Sequence, residues 1–206
     1  YRPAAVEQTL PLTGWWSGQW RTLPAYRDDL VASRPNPLNV QWAGSLRALE
    51  KHLQDRGWER PPEPGLRRSL YWLSPTATLT QLPILPQVHD GRHQQLLLRR
   101  PGDDPREQYV LRLWSAHTLL RPGGTHLWIG AVSRQSLRTN LGLISYPVTT
   151  DEFDAPMEVL LADLEPVSLR IVRRAEALGD GWSGRVILAM EGAPAGERST
   201  ELEAGQ

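Results

Sequence analysis

This 206-residue sequence predicts an α+β fold, a mostly antiparallel sheet of hairpins with two main helices at about 45–57 and 156–164 and short extra helices. Three observations carry that prediction. Short alternating apolar runs separated by turn signals recur from Val88 to Met190. Two stretches instead repeat apolar residues at helical spacing, between start and stop signals. Strand centres such as 109–113 and 127–132 are largely apolar on both faces, so the sheet should be covered on at least part of both sides.

Residues 1–36 are punctuated by Pro3, Pro11, Pro24 and Pro35 and carry Trp15, Trp16 and Trp20. Thr13 is placed to cap a short helix with Trp16 and Trp20, four residues apart, on one face. Such an arm either packs on the domain, the preferred reading, or lies near a bilayer. The best-specified stretch follows, Pro37 to Trp58. Leu38, Val40 and Trp42 alternate with Asn39 and Gln41, the period of a half-buried strand. Gly44 breaks the run, and Ser45 offers a capping hydroxyl. Leu46, Leu49 and Leu53 then form one apolar stripe, with Arg47, Glu50, Lys51, Gln54 and Asp55 facing water. Gly57 supplies a left-handed stop, after which Trp58 can fold back on Leu53. Trp42 and Trp58 read as core residues bracketing this helix.

Pro61–Pro64 is a rigid loop, 70–73 a strand, and Ser74-Pro75 opens a short helix that Pro83 stops. Asp90-Gly91 is a two-residue turn within a hairpin from Val88 to Arg99. A second hairpin joins 107–120 to 125–133 through Arg121-Pro122-Gly123-Gly124, and Leu143–Val148 is a further short strand. Thr149 and Glu152 resemble a capping box before the second helix, whose stripe is Met157, Leu160, Leu161 and Leu164 and whose stop is Pro166. A last hairpin pairs 169–174 with 185–190, and 192–206 reads as a disordered tail. The organisation expected is a Trp-rich arm (1–36), one α+β domain (37–191) and that tail.

Composition narrows the function classes. With 23 basic and 23 acidic residues, the chain lacks the excess of Lys and Arg that marks a nucleic-acid partner, and none is expected. The absence of cysteine excludes disulfides, thiolate catalysis and Cys-ligated zinc. No apolar run approaches the roughly 18–20 residues of a membrane span. The chain starts at Tyr1 without Met or a signal-peptide pattern, as expected of a piece of a longer polypeptide. Nine tryptophans against one phenylalanine favour cores, interfaces or membrane-surface belts.

No motif dictates a reaction. His89-Asp90-Gly91-Arg92-His93 gathers two imidazoles, a carboxylate and a guanidinium, the material of a metal site or a phosphate-handling acid/base pair. A two-residue turn at Asp90-Gly91 argues against it. Val88 then pairs with His93 and His89 with Arg92, which sends the imidazoles to opposite faces. The candidates His89, Asp90, Arg92 and His93 therefore rank below a polar hairpin tip, and neither metal nor cofactor is expected. His117 and His126 lie on neighbouring strands and can approach each other, but without a third ligand. Arg170, Arg173 and Arg174 can line an anion-binding edge, although arginines on one strand more often form a solvated face. The chain has no dinucleotide fingerprint, no P-loop and no nucleophile elbow.

WWSGQWRTLPAYR (Trp15–Arg27), PLNVQWAG (Pro37–Gly44), the Gly57-Trp58 helix exit, LPILPQVHDGRH (Leu82–His93) and LWIGAVS (Leu127–Ser133) together resemble the LssY C-terminal domain family. The pieces spread over most of 10–165, NVQWAG and VHDGRH being the more specific. The resemblance implies a soluble domain appended to bacterial inner-membrane proteins, commonly after a type-2 phosphatidic acid phosphatase unit and sometimes with a DedA-like unit. Those neighbours act on lipid phosphates such as the undecaprenyl carrier or phospholipids. It implies no established activity for the domain itself and transfers no functional residue. The phosphatase signature is not in the chain, which has a single lysine, Lys51, and no Pro-Ser-Gly-His.

What the resemblance implies is thus a non-catalytic accessory or regulatory domain, covalently linked to a membrane domain upstream of Tyr1, on the periplasmic side rather than the cytoplasmic. Its contacts would be a lipid headgroup or a partner protein, met through Trp15, Trp16 and Trp20. The alternatives are a phosphoesterase-like hydrolase using the His89–His93 hairpin, and a carbohydrate-binding module stacking sugars on exposed Trp.

Overall fold

The computed structural model describes residues 7–27, 36–62, 78–140, 144–175 and 181–192. In chain order these form β1 (Gln8–Pro11), α1 (Leu12–Ser17), a 3-10 helix (Gln19–Thr22), β2 (Val40–Ala43) and α2 (Leu46–Gln54). There follow β3 (Val88–His89), β4 (Arg92–His93), β5 (Leu96–Pro101), β6 (Glu107–Arg121), β7 (Thr125–Asn140) and β8 (Ile144–Thr149). The chain ends with α3 (Asp154–Leu164), β9 (Ser168–Arg173) and β10 (Arg185–Met190). Eight of these strands make one curled, mixed sheet along β1-β6-β7-β2-β10-β9, with β5 added to β6 and β8 to β7; β3 and β4 form a separate ribbon. The expected strand at 70–73, the Ser74-Pro75 helix start and the tail beyond 192 lie outside the described residues, and Thr78–Leu82 is a turn.

The α+β class is as expected, but antiparallel hairpins describe only part of the sheet. β1 runs parallel to β6, and β2 runs parallel to β10. The alternation around Asn39 and Gln41 suggested a strand with one wet face. In fact β2 lies between β7 and β10, and both polar side chains are fully buried. Each is tolerated there because it is hydrogen-bonded at both ends. Asn39 Nδ2 donates to Val132 O (3.1 Å) while its Oδ1 accepts from Val132 N (2.9 Å).

The β6–β7 hairpin forms where expected but runs on to Asn140, with its register shifting between Ser115 and Thr118. The single hairpin expected over 88–99 resolves into the β3–β4 ribbon and a separate β5, which pairs with β6. The last hairpin pairs Arg185 with Arg173 and Met190 with Ser168.

Two apolar layers hold the sheet. On one face Leu98, Leu111, Leu113, Val132 and Ile187 receive Leu49 and Leu53 of α2 and Met157, Leu160 and Leu164 of α3. On the other, Trp114, Ile129 and Leu188 pack with Trp15, Trp20, Leu38 and Trp182. Helix α2 is capped as its sequence reads: Ser45 Oγ accepts from Ala48 N (3.3 Å), and Trp58 N donates to Leu53 O (3.1 Å) around Gly57 at φ 90°. The start of α3 differs. Glu152 Oε1 accepts from both Asp154 N (2.8 Å) and Ala155 N (2.7 Å), while Thr149 ends β8 and caps nothing. No helix of the described residues is long and apolar enough to cross a membrane.

Candidate functional site

The β3–β4 ribbon has the register read from its turn, Val88 opposite His93 and His89 opposite Arg92. Asp90 (φ 48°) and Gly91 (φ 68°) are both left-handed, the backbone of a tight two-residue turn. His89 is buried, edge-on to the Trp114 ring at 5.8 Å, whereas Asp90, Arg92 and His93 are exposed. The two imidazoles face different surroundings. Among the described residues no group of three or more His, Asp or Glu is placed to hold a metal ion.

His89 does share space with an imidazole, that of His117. The register slip in β6 puts His117 on a bulge at φ 50°, a left-handed backbone uncommon outside glycine. Ser115 Oγ accepts from His117 N (3.1 Å) and braces the bulge. Tyr26, His89, Asp90, Ser115, His117 and Ile129 line a cleft of about 290 Å3. Two imidazoles and a carboxylate there can hydrogen-bond a ligand or exchange protons with it. The expected approach of His117 to His126 fails because of the same slip. Leu119 stands opposite His126, whose ring lies 6.0 Å from that of Trp128.

Sequence reading passed over Arg112, a lone cation inside the apolar run YVLRLW, and that isolation was its signal. It is 3 % exposed. With the buried Arg27, it lines a partly open pocket of about 20 Å3, together with Gln87, Trp114, Ser133 and Thr149. Such a volume takes about one water-sized atom. No Asp or Glu lines it. Arg112 Nε and Trp114 Nε1, both shut from solvent, have no hydrogen-bond partner among the described residues. Burial, aided by the charge of Arg27, pushes Arg112 down to about 9. Arg27 itself reaches Val88 O from Nη1 at 3.5 Å.

The sequence profile of the LssY C-terminus matches residues 20–167. The chain belongs to the LssY C-terminal domain family. No curated protein and no solved structure matches it. The residues lining the His89–His117 cleft and the Arg112 pocket all fall within the matched stretch of this LssY C-terminal domain, whereas β9 and β10 lie beyond it.

The remaining candidates are occupied in holding the LssY C-terminal domain together. Trp15 and Trp20 are 0 % and 1 % exposed, which corrects their assignment as membrane or partner contacts; Trp16 is half-buried. Helix α1 ends at Ser17 and the 3-10 helix carries Trp20 into the same buried cluster as Trp15, while the ring of Trp16 lies 5.6 Å from that of Trp15 at the cluster's edge. Gln41 fixes both: its Oε1 accepts from Trp15 Nε1 (2.8 Å), and its Nε2 donates to Trp20 O (3.1 Å). The anion-binding edge on β9 is corrected likewise. Arg174 is buried and donates to Leu23 O (2.7 Å) and Arg21 O (3.2 Å), with its guanidinium 5.3 Å from the Trp20 ring centre. Arg170 donates to Trp16 O (2.8 Å), and Arg173 is exposed. Arg170 and Arg174 clamp the N-terminal segment.

Proposed function

We propose that this LssY C-terminal domain is a non-catalytic accessory or regulatory domain of a bacterial inner-membrane lipid-phosphate phosphatase. It is linked to a membrane domain upstream of Tyr1, faces the periplasm, and meets a lipid headgroup or a partner protein. The observation that carries the reading is the Asp90-Gly91 turn. It buries His89 against Trp114 and leaves His93 outside, so the densest chemistry in the sequence does not converge. Membership of the family supports the association with a membrane enzyme. Because Trp15 and Trp20 belong to the core, the contact surface does not rest on them.

The test is to express the protein with its natural upstream segment, with and without residues 7–192, and to follow phosphate release from undecaprenyl phosphate or phosphatidic acid in detergent micelles. An accessory role requires that phosphate release survives the deletion with an altered rate or substrate range. Identical kinetics in both forms would defeat it.

A second reading, a phosphoesterase-like hydrolase, is favoured by the cleft that joins His89 and Asp90 to His117. Its test is turnover of p-nitrophenyl phosphate by the isolated chain, lost in His117→Ala. Arg92 and His93 do not line that cleft. Sugar stacking needs an exposed row of rings, and the eight described tryptophans are buried or half-buried.

A further inference from the structure

We infer that the His89–His117 cleft is a recognition site for a single hydroxyl-rich ring, a pyranose, either free or as the head of a glycolipid. The backbone gives the first reason. β6 is a fifteen-residue strand paired with β7 along most of its length, yet it breaks step to hold His117 at φ 50°. A residue other than glycine keeps such a conformation only where its surroundings impose it, and such residues gather at sites that grip ligands. Two hydrogen bonds impose it here. Ser115 Oγ accepts from His117 N (3.1 Å), and Thr118 Oγ1 donates to Ala116 O (3.0 Å). A bulge of this kind re-aims one side chain. The half-buried ring of His117 lines the cleft and has no hydrogen-bond partner among the described residues.

The lining selects the ligand. At about 290 Å3 the cleft lies near the lower end of the range for small-molecule sites, room for one ring. Leu23, Pro24, Ala116 and Ile129 give it an apolar wall, and Asp90, Ser115 and His117 give it polar groups. Those groups are of mixed kind. A carboxylate only accepts, a serine hydroxyl has a proton to donate, and a neutral imidazole donates from one nitrogen and accepts at the other. Hydroxyl groups answer all three, since each donates one hydrogen bond and accepts others, and a pyranose adds a C–H face for the apolar wall. Competing classes fit less well. Among the described residues no Arg or Lys lines the cleft, so a phosphate would meet the Asp90 carboxylate with no fixed cation to balance it. An ammonium only donates, which leaves the Ser115 proton unanswered. A metal ion needs a third converging ligand, which the described residues do not supply. A recess for one ring, unlike a stacking surface, needs no exposed row of tryptophans. The inference goes beyond the accessory reading without resting on it, and it competes with the phosphoesterase reading of the same cleft.

The experiment titrates the whole 206-residue chain with the methyl glycosides of glucose, galactose, mannose and N-acetylglucosamine, and reads the His117 ring resonances by NMR. Sodium phosphate and n-butylammonium chloride, at matched ionic strength, represent the competing classes. At least one glycoside should shift those resonances saturably, and more tightly than either salt. His117→Gly keeps the left-handed backbone, and Asp90→Asn keeps a side chain suited to its turn, so both variants probe the site without breaking the fold. Each should weaken that glycoside by about tenfold, read by saturation-transfer NMR on the sugar. The absence of a saturable shift with all four glycosides in the wild-type protein overturns the inference, and no folding defect in a variant can mimic that result. So does a tighter response to phosphate or n-butylammonium than to any glycoside, or undiminished binding in His117→Gly. Phosphatidylcholine vesicles with and without the diacylglycerol glycoside of the sugar that binds then separate the sources. Flotation that needs the glycolipid and is lost in His117→Gly assigns the site to a lipid head; its absence, with glycoside binding intact, assigns it to a free sugar. Failure of the accessory reading is seen separately, in unchanged phosphatase kinetics on deletion.

Discussion

Replacing Arg112 with methionine should stabilise the protein. The guanidinium falls from its ordinary range to about 9 because it is desolvated beside Arg27. At about 1.4 kcal/mol per tenfold, that drop corresponds to roughly 5 kcal/mol of charging penalty at neutral pH. Methionine removes the penalty but fills less of the site and loses some packing, so a net gain of about 1–4 kcal/mol is expected, the range found when buried ionic groups give way to apolar ones. The pH dependence has a definite sign. From about 9 up to the ordinary guanidinium range the unfolded chain holds the proton that the folded one gives up, so this group's contribution to stability rises with pH. The penalty is complete below about 9 and is lost as pH climbs to the ordinary guanidinium range. Among the described residues, Arg27 is the charged group that faces Arg112 across the pocket. Urea titrations of both proteins at pH 7 and pH 10 read the effect, and the gap between them should narrow at pH 10. A loss of more than about 2 kcal/mol in Arg112→Met would mean that the fold already satisfies the guanidinium, and would refute the reasoning.

Gln41→Leu should cost about 2–3 kcal/mol in urea and speed proteolysis of the N-terminal segment, because the Trp15 N–H and the Trp20 carbonyl lose their partner together. Asp163→Ala should cost about 2–4 kcal/mol by thermal or urea melts. Its carboxylate accepts from Trp58 Nε1 (2.8 Å) and Arg100 Nη1 (2.5 Å), and Asp163→Asn should lose less. Gly130→Ala should fail to fold or lose more than about 3 kcal/mol, read as soluble yield and Tm, since the new methyl would stand 1.9 Å from the Arg112 carbonyl and 2.7 Å from Leu113 Cδ2.

Where structure follows from neighbours in sequence, it was legible. Ser45, Gly57 and Trp58 define α2 within fourteen residues, and Asp90-Gly91 fixes its ribbon by backbone preference alone. The parallel pairs β1–β6 and β2–β10 join segments about a hundred or more residues apart and leave no local trace. Asn39 and Gln41 misled because polarity forecasts exposure only when the interior offers no matching partner, and here Val132, Trp15 and Trp20 offer one. The bulge at His117 inserts an irregularity into a regular run, so imidazoles were paired across the wrong strands. For the arginines, attention went to the cluster on β9, where donors are spent on carbonyls, and away from the isolated one that keeps its donors.

The parallel pairing of β2 with β10 sets what counts as a complete folding unit. Val40 lies beside Ile187 in the middle of the sheet, so β2 has one neighbour missing until the last strand arrives. A chain cut at residue 167, where the family profile ends, would turn that interior strand into a bare edge, open to pairing with other molecules. The boundary that sequence kinship draws is therefore narrower than the boundary cooperative folding demands, and a ribosome must deliver Met190 before the sheet can close.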